Sequence, residues 1–294
     1  MLDIVTVNWN SGLQINRCVR SVIAFSSKNG LQITVVDNGS IDGSIDAIKP
    51  DPRLSIIRTG ENLGFGKACN LGSKLGGNDF LLFLNPDAAL FPDTLEKSLA
   101  FMQDPANAQV GICGVQLQDE SGHVARSCSR FPSAWRFFAH SMGVVHFFPR
   151  LGHFMAAWPH DQTREVDHVI GAFFLVRRTL FEQLGGFDER FFVYLEDVDF
   201  SYRAHQAGWK SVYLADVQAF HAGGGTSNQV KARRLFYSLR SRLLYAFKHF
   251  SLLGAWVILL STLLLEPLTR SAYALLRGSW PALKETWSGN YKRI

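Results

Sequence analysis

Three carboxylates fall within four positions, Glu196, Asp197 and Asp199, and Arg203 follows four residues after the last. Leu195, Val198 and Tyr202 recur between them at helical spacing, so the stretch 191–203 reads as a helix. On that helix Asp199 and Arg203 are neighbours and can pair, with Glu196 on the same side. Asp197 stands about 100° further round the axis and projects from a different face. It is left without a local cation, just past a hydrophobic run. A carboxylate so placed is expected to have the raised basicity of a general base. The bland alternative is a set of acids drawn to a helix start by the macrodipole.

Such a group needs a framework, and the chain supplies one in order. Residues 4–7 are a β-branched run that stops at the turn cluster 8–12, and an amphipathic helix follows from about 13 to 25. Residues 33–36 end at Asp37-Asn38-Gly39-Ser40, and a second helix is expected to open near Asp42. A third strand, 54–57, leads into a glycine-rich loop, 60–66, and a helix through Leu75. Residues 80–84 are continuously apolar, as in a buried parallel sheet, and end at Asn85-Pro86-Asp87. Pro92 then opens another helix. Any one of these polar clusters is explained by turn chemistry alone. Three successive ones at the carboxyl ends of strands mark a nucleotide-binding α/β layout, because ligands sit in that crevice.

From 121 to 167 the pattern loosens, and aromatics crowd with histidines that lack ligand spacing. This reads as a long loop or short helices over the cleft, in reach of an acceptor or lipid. A strand is expected at 169–176 and a helix at 177–184, closed by Gly185-Gly186. Later a single histidine, His221, stands beside a glycine-rich turn.

Composition bounds the rest. A chain of 294 residues, 47% apolar and 19% charged, is globular and has room for one large α/β domain plus an appendage. A net charge of +5 is modest, and no nucleic-acid partner is expected. Cys18, Cys69, Cys113 and Cys128 show no paired spacing, which points to a reduced, cytoplasmic compartment. The first residues read as a strand, with no signal-peptide pattern.

Several separated motifs agree on a family. Val7-Asn8-Trp9-Asn10-Ser11, Val36-Asp37-Asn38-Gly39-Ser40-Ile41-Asp42-Gly43, Asn62-Leu63-Gly64-Phe65-Gly66-Lys67-Ala68-Cys69-Asn70, Asn85-Pro86-Asp87, Gly185-Gly186-Phe187-Asp188 onward to Asp199, and His221-Ala222-Gly223-Gly224 occur in this order. The chain resembles the family 2 glycosyltransferases with a GT-A fold, particularly the bacterial rhamnosyltransferase-like branch, over about residues 3 to 227. The resemblance implies a mostly parallel nucleotide-binding sandwich and a nucleotide-diphosphate sugar donor. It assigns Asp37 to the pyrimidine, with Asn8 and Asn38 lining the same pocket. Asn62, Gly64, Gly66 and Asn70 would pack near nucleotide and sugar. Asp87 and His221 would hold Mg²⁺ or Mn²⁺, and Asp197 would be the base of an inverting displacement. Glu196 and Arg203 fall in the same substrate-facing segment, in orienting or structural roles. Asn85 stands where the family's metal motif has its first carboxylate, so it can offer a metal only a neutral oxygen.

Residues 228–294 read as a separate appendage. No Asp or Glu occurs from 217 to 265, which holds Lys231, Arg233, Arg234, Arg240, Arg242 and Lys248. The apolar run 252–265 follows, short of the roughly 20 residues needed to span a bilayer. Cations beside an apolar segment with Trp and Tyr favour peripheral or monotopic association with the inner face of the cytoplasmic membrane, which suits the lipid-linked saccharide acceptor of a surface polysaccharide (O-antigen) that the resemblance implies. A helical hairpin packed on the core, or a homodimer interface, is the alternative. The expected donor is dTDP-L-rhamnose. The competing functions are a sugar-nucleotide nucleotidyltransferase, which would want a basic phosphate loop that Asn8-Trp9-Asn10-Ser11-Gly12 lacks, and a catalytically silent nucleotide-sugar-binding scaffold, which the intact acid and histidine set disfavours.

Overall fold

The computed structural model describes residues 1–26, 30–223 and 231–290. The strands are β1 (Leu2–Asn8), β2 (Leu31–Asp37), β3 (Leu54–Arg58), β4 (Phe80–Leu84), β5 (Ala88–Leu90), β6 (Val110–Gln118), β7 (Cys128–Ser129), β8 (Arg164–Val166), β9 (His168–Val169), β10 (Phe173–Arg177) and β11 (Lys210–His221). The helices are α1 (Gln14–Phe25), α2 (Phe65–Ser73), α3 (Thr94–Gln103), α4 (Ala134–Ser141), α5 (Arg178–Gln183), α6 (Glu196–Gln206), α7 (Lys231–His249), α8 (Leu252–Leu260), α9 (Glu266–Leu276) and α10 (Trp280–Asn290).

Among the described residues nine strands form one sheet, ordered β3-β2-β1-β4-β10-β6-β11-β5, with β8 also on β11. The β3-β2-β1-β4 half is parallel. β10 then enters antiparallel between β4 and β6, so the sheet is mixed. Every residue of β1 and β4 is buried, as expected where helices cover both faces. Side chains alternate between the faces: Ile4, Leu82 and Leu84 enter one core, while Val5, Val7, Leu81 and Phe83 enter the other.

Three expectations are corrected. The helix near Asp42 is only a single 3₁₀ turn, Ser44–Ala47. The strand expected at 169–176 is two strands, broken around Gly171. The helix expected from 191 begins only at Glu196, because Tyr194 and Leu195 adopt left-handed φ of 70° and 65°. Their neighbours bond outward instead of along a helix: Phe192 O accepts from Phe65 N–H at 2.7 Å, and Val193 O from the Ser241 hydroxyl at 2.8 Å.

The C-terminal helices differ from the sequence reading in length and in how they use their charges. A π-turn joins α8 to α9, and the continuous helix Leu252–Leu276 has 25 residues, long and apolar enough to cross a membrane by length and composition. The run seemed short because Glu266 and Arg270 interrupt it in sequence. Glu266 is buried and paired with Arg242 from α7 and with Arg270, so its charge is neutralised within the protein. Arg242 is therefore not available to lipid, and neither is Lys248, whose ammonium lies 2.6 Å from Asp188 and from Asp199. Arg233, Arg234 and Arg240 are exposed. The boundary expected at 227–228 lies outside the described residues, as do Gly224 and the rest of the glycine-rich turn. Beyond it, Tyr245, Ala246, Ala255 and Ile258 share a core with Phe137, Phe191 and Val198.

Candidate functional site

The carboxyl ends of β1 and β2 meet residue for residue, with Asn8 opposite Asp37. The Asn8 amide donates to Asp37 Oδ1 at 3.1 Å and to the hydroxyls of Ser40 and Ser44 at 3.1 and 2.9 Å. Asn8 is fully buried, and its amide is spent on these partners. It sits beneath the pocket and orients Asp37, where sequence reading put it on the pocket wall. Asn38 is likewise internal. Its amide donates to Asn62 Oδ1 at 3.0 Å and its Oδ1 accepts from Leu63 N–H at 2.9 Å, which folds the 60–66 loop over the strand ends. Gly64 follows at φ +88°, and a Cβ there would meet Phe192 O at 2.5 Å. Only glycine allows the loop to dock against the segment that leads into α6.

Asn70 is internal in the same way. Its side chain donates to Phe187 O at 2.8 Å and accepts from Phe187 N–H at 2.9 Å, so it clamps the chain after Gly186 instead of facing a ligand. Gly66 lets α2 pack closely on the same segment, for a Cβ there would stand 3.2 Å from the Phe187 Cβ, with Glu196 in ordinary contact beside it.

At the end of β4, Asn85, Pro86 and Asp87 are partly exposed. β5 and the end of β11 pair antiparallel with His221 opposite Ala88, which brings His221 Nε2 to 3.3 Å from Asp87 Oδ1. Among the described residues no group of three or more His, Cys, Asp or Glu converges. One carboxylate and one imidazole side by side fit a divalent cation that takes its remaining ligands from substrate phosphates and water.

Asp197 lies one strand step away. Asn85 N–H donates to Ala172 O at 3.0 Å, and the preceding Gly171 N–H donates to Asp197 Oδ2 at 2.8 Å. Asp197 Oδ1 accepts from Val198 N–H at 2.8 Å, and His168 Nε2 lies 3.2 Å from Oδ2. His168 in turn contacts the Ser129 hydroxyl through Nδ1 at 2.9 Å. Burial pushes Asp197 upward, but the imidazole and the two N–H donors outweigh it and hold the carboxyl below its ordinary value. The expectation of raised basicity is overturned: Asp197 does have a cation-forming neighbour, contributed by a distant strand. The raised group is Glu196, which is buried beside the charges of Asp197 and Asp199 and goes well above the usual carboxylate range.

The predicted pairing of Asp199 with Arg203 is present at 2.8 Å. Arg203 also donates to Leu184 O and Gly186 O, both at 2.8 Å, so the guanidinium closes the end of α5 onto α6 and is not aimed at a ligand. Ser129, His168 and Gly171 escaped sequence reasoning. A lone histidine after Asp167 had no spacing to mark it, and the usable signal was Gly171 interrupting an otherwise continuous apolar strand.

Comparison with known proteins adds to this geometry. A family model described as Glycosyl transferase family 2 matches residues 3–185. N-acetylglucosaminyl-diphospho-decaprenol L-rhamnosyltransferase of Mycobacterium tuberculosis (strain ATCC 25618 / H37Rv) is 29% identical over 297 residues, covering 95% of this chain and 94% of its own. Rhamnosyltransferase WbbL of Escherichia coli (strain K12) is 28% identical over 57% of this chain and 61% of its own. In fold, S. aureus TarS 1-349 in complex with UDP-GlcNAc aligns with a TM-score of 0.59 at 15% identity, over 97% of this chain and 79% of its own. Mannosyltransferase PcManGT from Pyrobaculum calidifontis, in complex with GDP-Man and Mn2+, aligns with 0.58 at 19% identity, over 98% and 79%.

Proposed function

The chain belongs to glycosyl transferase family 2, and from that premise we propose that it is an inverting, metal-dependent transferase that moves L-rhamnose from dTDP-L-rhamnose onto a lipid-linked saccharide. Its fold is that of the GT-A glycosyltransferases. The rhamnosyl reading and the lipid-diphosphate acceptor are supported by the name of the mycobacterial relative, which aligns over nearly the whole chain. In this reading residues 1–227 are the catalytic part and 228–294 hold it at the inner face of the cytoplasmic membrane, where surface-polysaccharide intermediates are built.

Each residue then has a stated task. Asp37 accepts from the N–H of the nucleotide base, oriented by Asn8 from below. Asp87 and His221 would hold Mg²⁺ or Mn²⁺, which supplies neutralisation of diphosphate charge. Asp197 takes the proton of the acceptor hydroxyl as that oxygen attacks the anomeric carbon opposite the leaving group. One base and one displacement give inversion.

The observation that carries the reading is the fixation of Asp197: Gly171, Val198 and His168 hold a partly exposed carboxylate beside the end of β4 and keep it below its ordinary value. Asp197→Asn keeps the shape and can still accept from Gly171, but cannot take a proton. Transfer should fall by about 10²–10⁴-fold, the usual worth of general base catalysis, with donor affinity within about twofold. Radiolabelled transfer and equilibrium donor binding read the two quantities. Turnover near that of the wild type removes Asp197 from the role.

A further inference from the structure

The two-stranded ribbon β7–β9 carries Ser129 and His168 on the way to Asp197, and just beyond Ser129 it borders a cavity of about 370 Å³. Arg130, Arg150 and Arg164 line it together with Phe154 and Trp158. Arg164 lies with its guanidinium carbon 4.9 Å from the Trp158 ring centroid. No carboxylate among the described residues forms an ion pair with any of the three arginines. Two acids close in sequence are committed elsewhere, Glu165 to Lys210 at 3.0 Å and Asp167 to Phe131 N–H at 2.8 Å, and Asp161, three residues before Arg164, is exposed and forms no ion pair with it. Three guanidinium groups brought to one cavity repel one another until an anion joins them, and their planar forks suit phosphate oxygens.

The rim says what the anion is attached to. Phe147, Phe148 and Phe154 are 79%, 62% and 52% exposed on the adjoining turns. Exposed aromatics around an arginine-lined cavity fit a phosphate carried on an apolar chain. The donor's diphosphate would lie elsewhere, at Asp87 and His221: Arg164 is opposite Tyr213, and His221 is roughly 16 Å further along β11, five strand steps once the bulge is followed on β6.

We propose that the cavity of Arg130, Arg150 and Arg164 receives the diphosphate of a prenyl-linked acceptor and so directs the acceptor sugar toward Asp197. This deepens, and rests on, the lipid-linked acceptor reading above. The test is the double substitution Arg130→Gln and Arg150→Gln, with Arg164 left in place because it also stacks on Trp158. Two acceptors are compared with dTDP-L-rhamnose as donor: N-acetylglucosaminyl diphosphate on a short prenyl chain, and the neutral octyl glycoside of the same sugar. KM for the diphosphate acceptor should rise at least about tenfold, as expected for loss of charge-assisted hydrogen bonds, while KM for the octyl glycoside and for the donor stays within about twofold. Equal losses on both acceptors, or an unchanged KM for the diphosphate, overturn the proposal.

A binding arm separates the two layers. Calorimetry of farnesyl diphosphate with protein saturated in dTDP should give binding that the double variant weakens by at least about tenfold. Binding of inorganic diphosphate as tight as that of farnesyl diphosphate would identify a free-phosphate site and defeat the prenyl assignment. Binding that the arginines control, in a wild type that transfers no rhamnose, upholds the cavity and sinks the rhamnosyl reading instead.

Discussion

Two adjacent carboxyl groups, Glu196 and Asp197, titrate in opposite directions for local reasons. Asp197 has two backbone N–H donors and an imidazole, so its charged form is favoured. Glu196 turns inward from the same helical turn, 5% exposed, and its Oε2 has no hydrogen-bond partner among the described residues, so burial beside Asp197 favours its neutral form. The pair thus sets a carboxyl held toward its charged form beside one held toward its neutral form. A group raised on folding stabilises most fully below its unfolded value, here 4.5, and loses that contribution as pH rises through the folded value. Glu196→Gln mimics the neutral form at every pH. Its melting temperature relative to wild type should therefore increase steadily from pH 5 to pH 9, read by calorimetry at several pH values. A constant difference across that range would show that Glu196 is not the group whose protonation is linked to folding.

At the scale of elements, α6 is fixed from both sides through Asp199. That carboxylate is wholly buried and meets Arg203 at 2.8 Å, Lys248 at 2.6 Å and His249 at 2.7 Å, the last two from α7. The helix that presents Asp197 is thereby tied to the C-terminal helices, so the appendage supports the site as well as extending from it. Removing the anion leaves the Arg203 guanidinium without its carboxylate and Lys248 with Asp188 alone, and breaking a buried pair costs about 3–5 kcal/mol. Asp199→Ala should lower unfolding stability by that order in urea titrations and reduce transfer. Loss of less than about 1 kcal/mol would mean that solvent screens the cluster.

For the whole molecule, the exposed apolar residues gather on the outer side of the C-terminal helix. Leu253, Leu260, Leu264 and Leu268 are 77%, 53%, 64% and 60% exposed, while the inner side packs through Ala255 and Ile258. A third of the helix's apolar window is buried against protein, and the rest is half-buried or exposed. Arg233, Arg234 and Arg240 add exposed positive charge, each worth about 1 kcal/mol near anionic headgroups. The full chain should sediment with anionic vesicles, in part released by high salt and fully by detergent. Leu253→Glu with Leu264→Glu should return it to the supernatant without lowering its melting temperature, because neither side chain is in the core. If wild-type protein stays in the supernatant at low salt, the outward face serves protein contacts such as a dimer.

The sequence by itself determined the alternating elements, since periods of 2 and 3.6 in apolar residues are local properties, and it placed the polar strand ends where β1, β2 and β4 stop. It also paired Asp199 with Arg203, because four residues on one helix fix that contact whatever surrounds it. Other features were beyond its reach because they depend on contacts between residues far apart in the chain. The 39 positions that separate His168 from the Ser129 hydroxyl follow no spacing rule, and only the β7–β9 ribbon brings the two together. The same holds for Asp197, where a strand break at Gly171 and an imidazole across the fold reverse the basicity expected from an isolated helix. Helix length at the C-terminus was likewise decided by tertiary structure, since a carboxylate that would end an apolar run is neutralised by Arg242 from another helix. Local pattern reports which backbone forms; charge and protonation follow from what the fold places alongside.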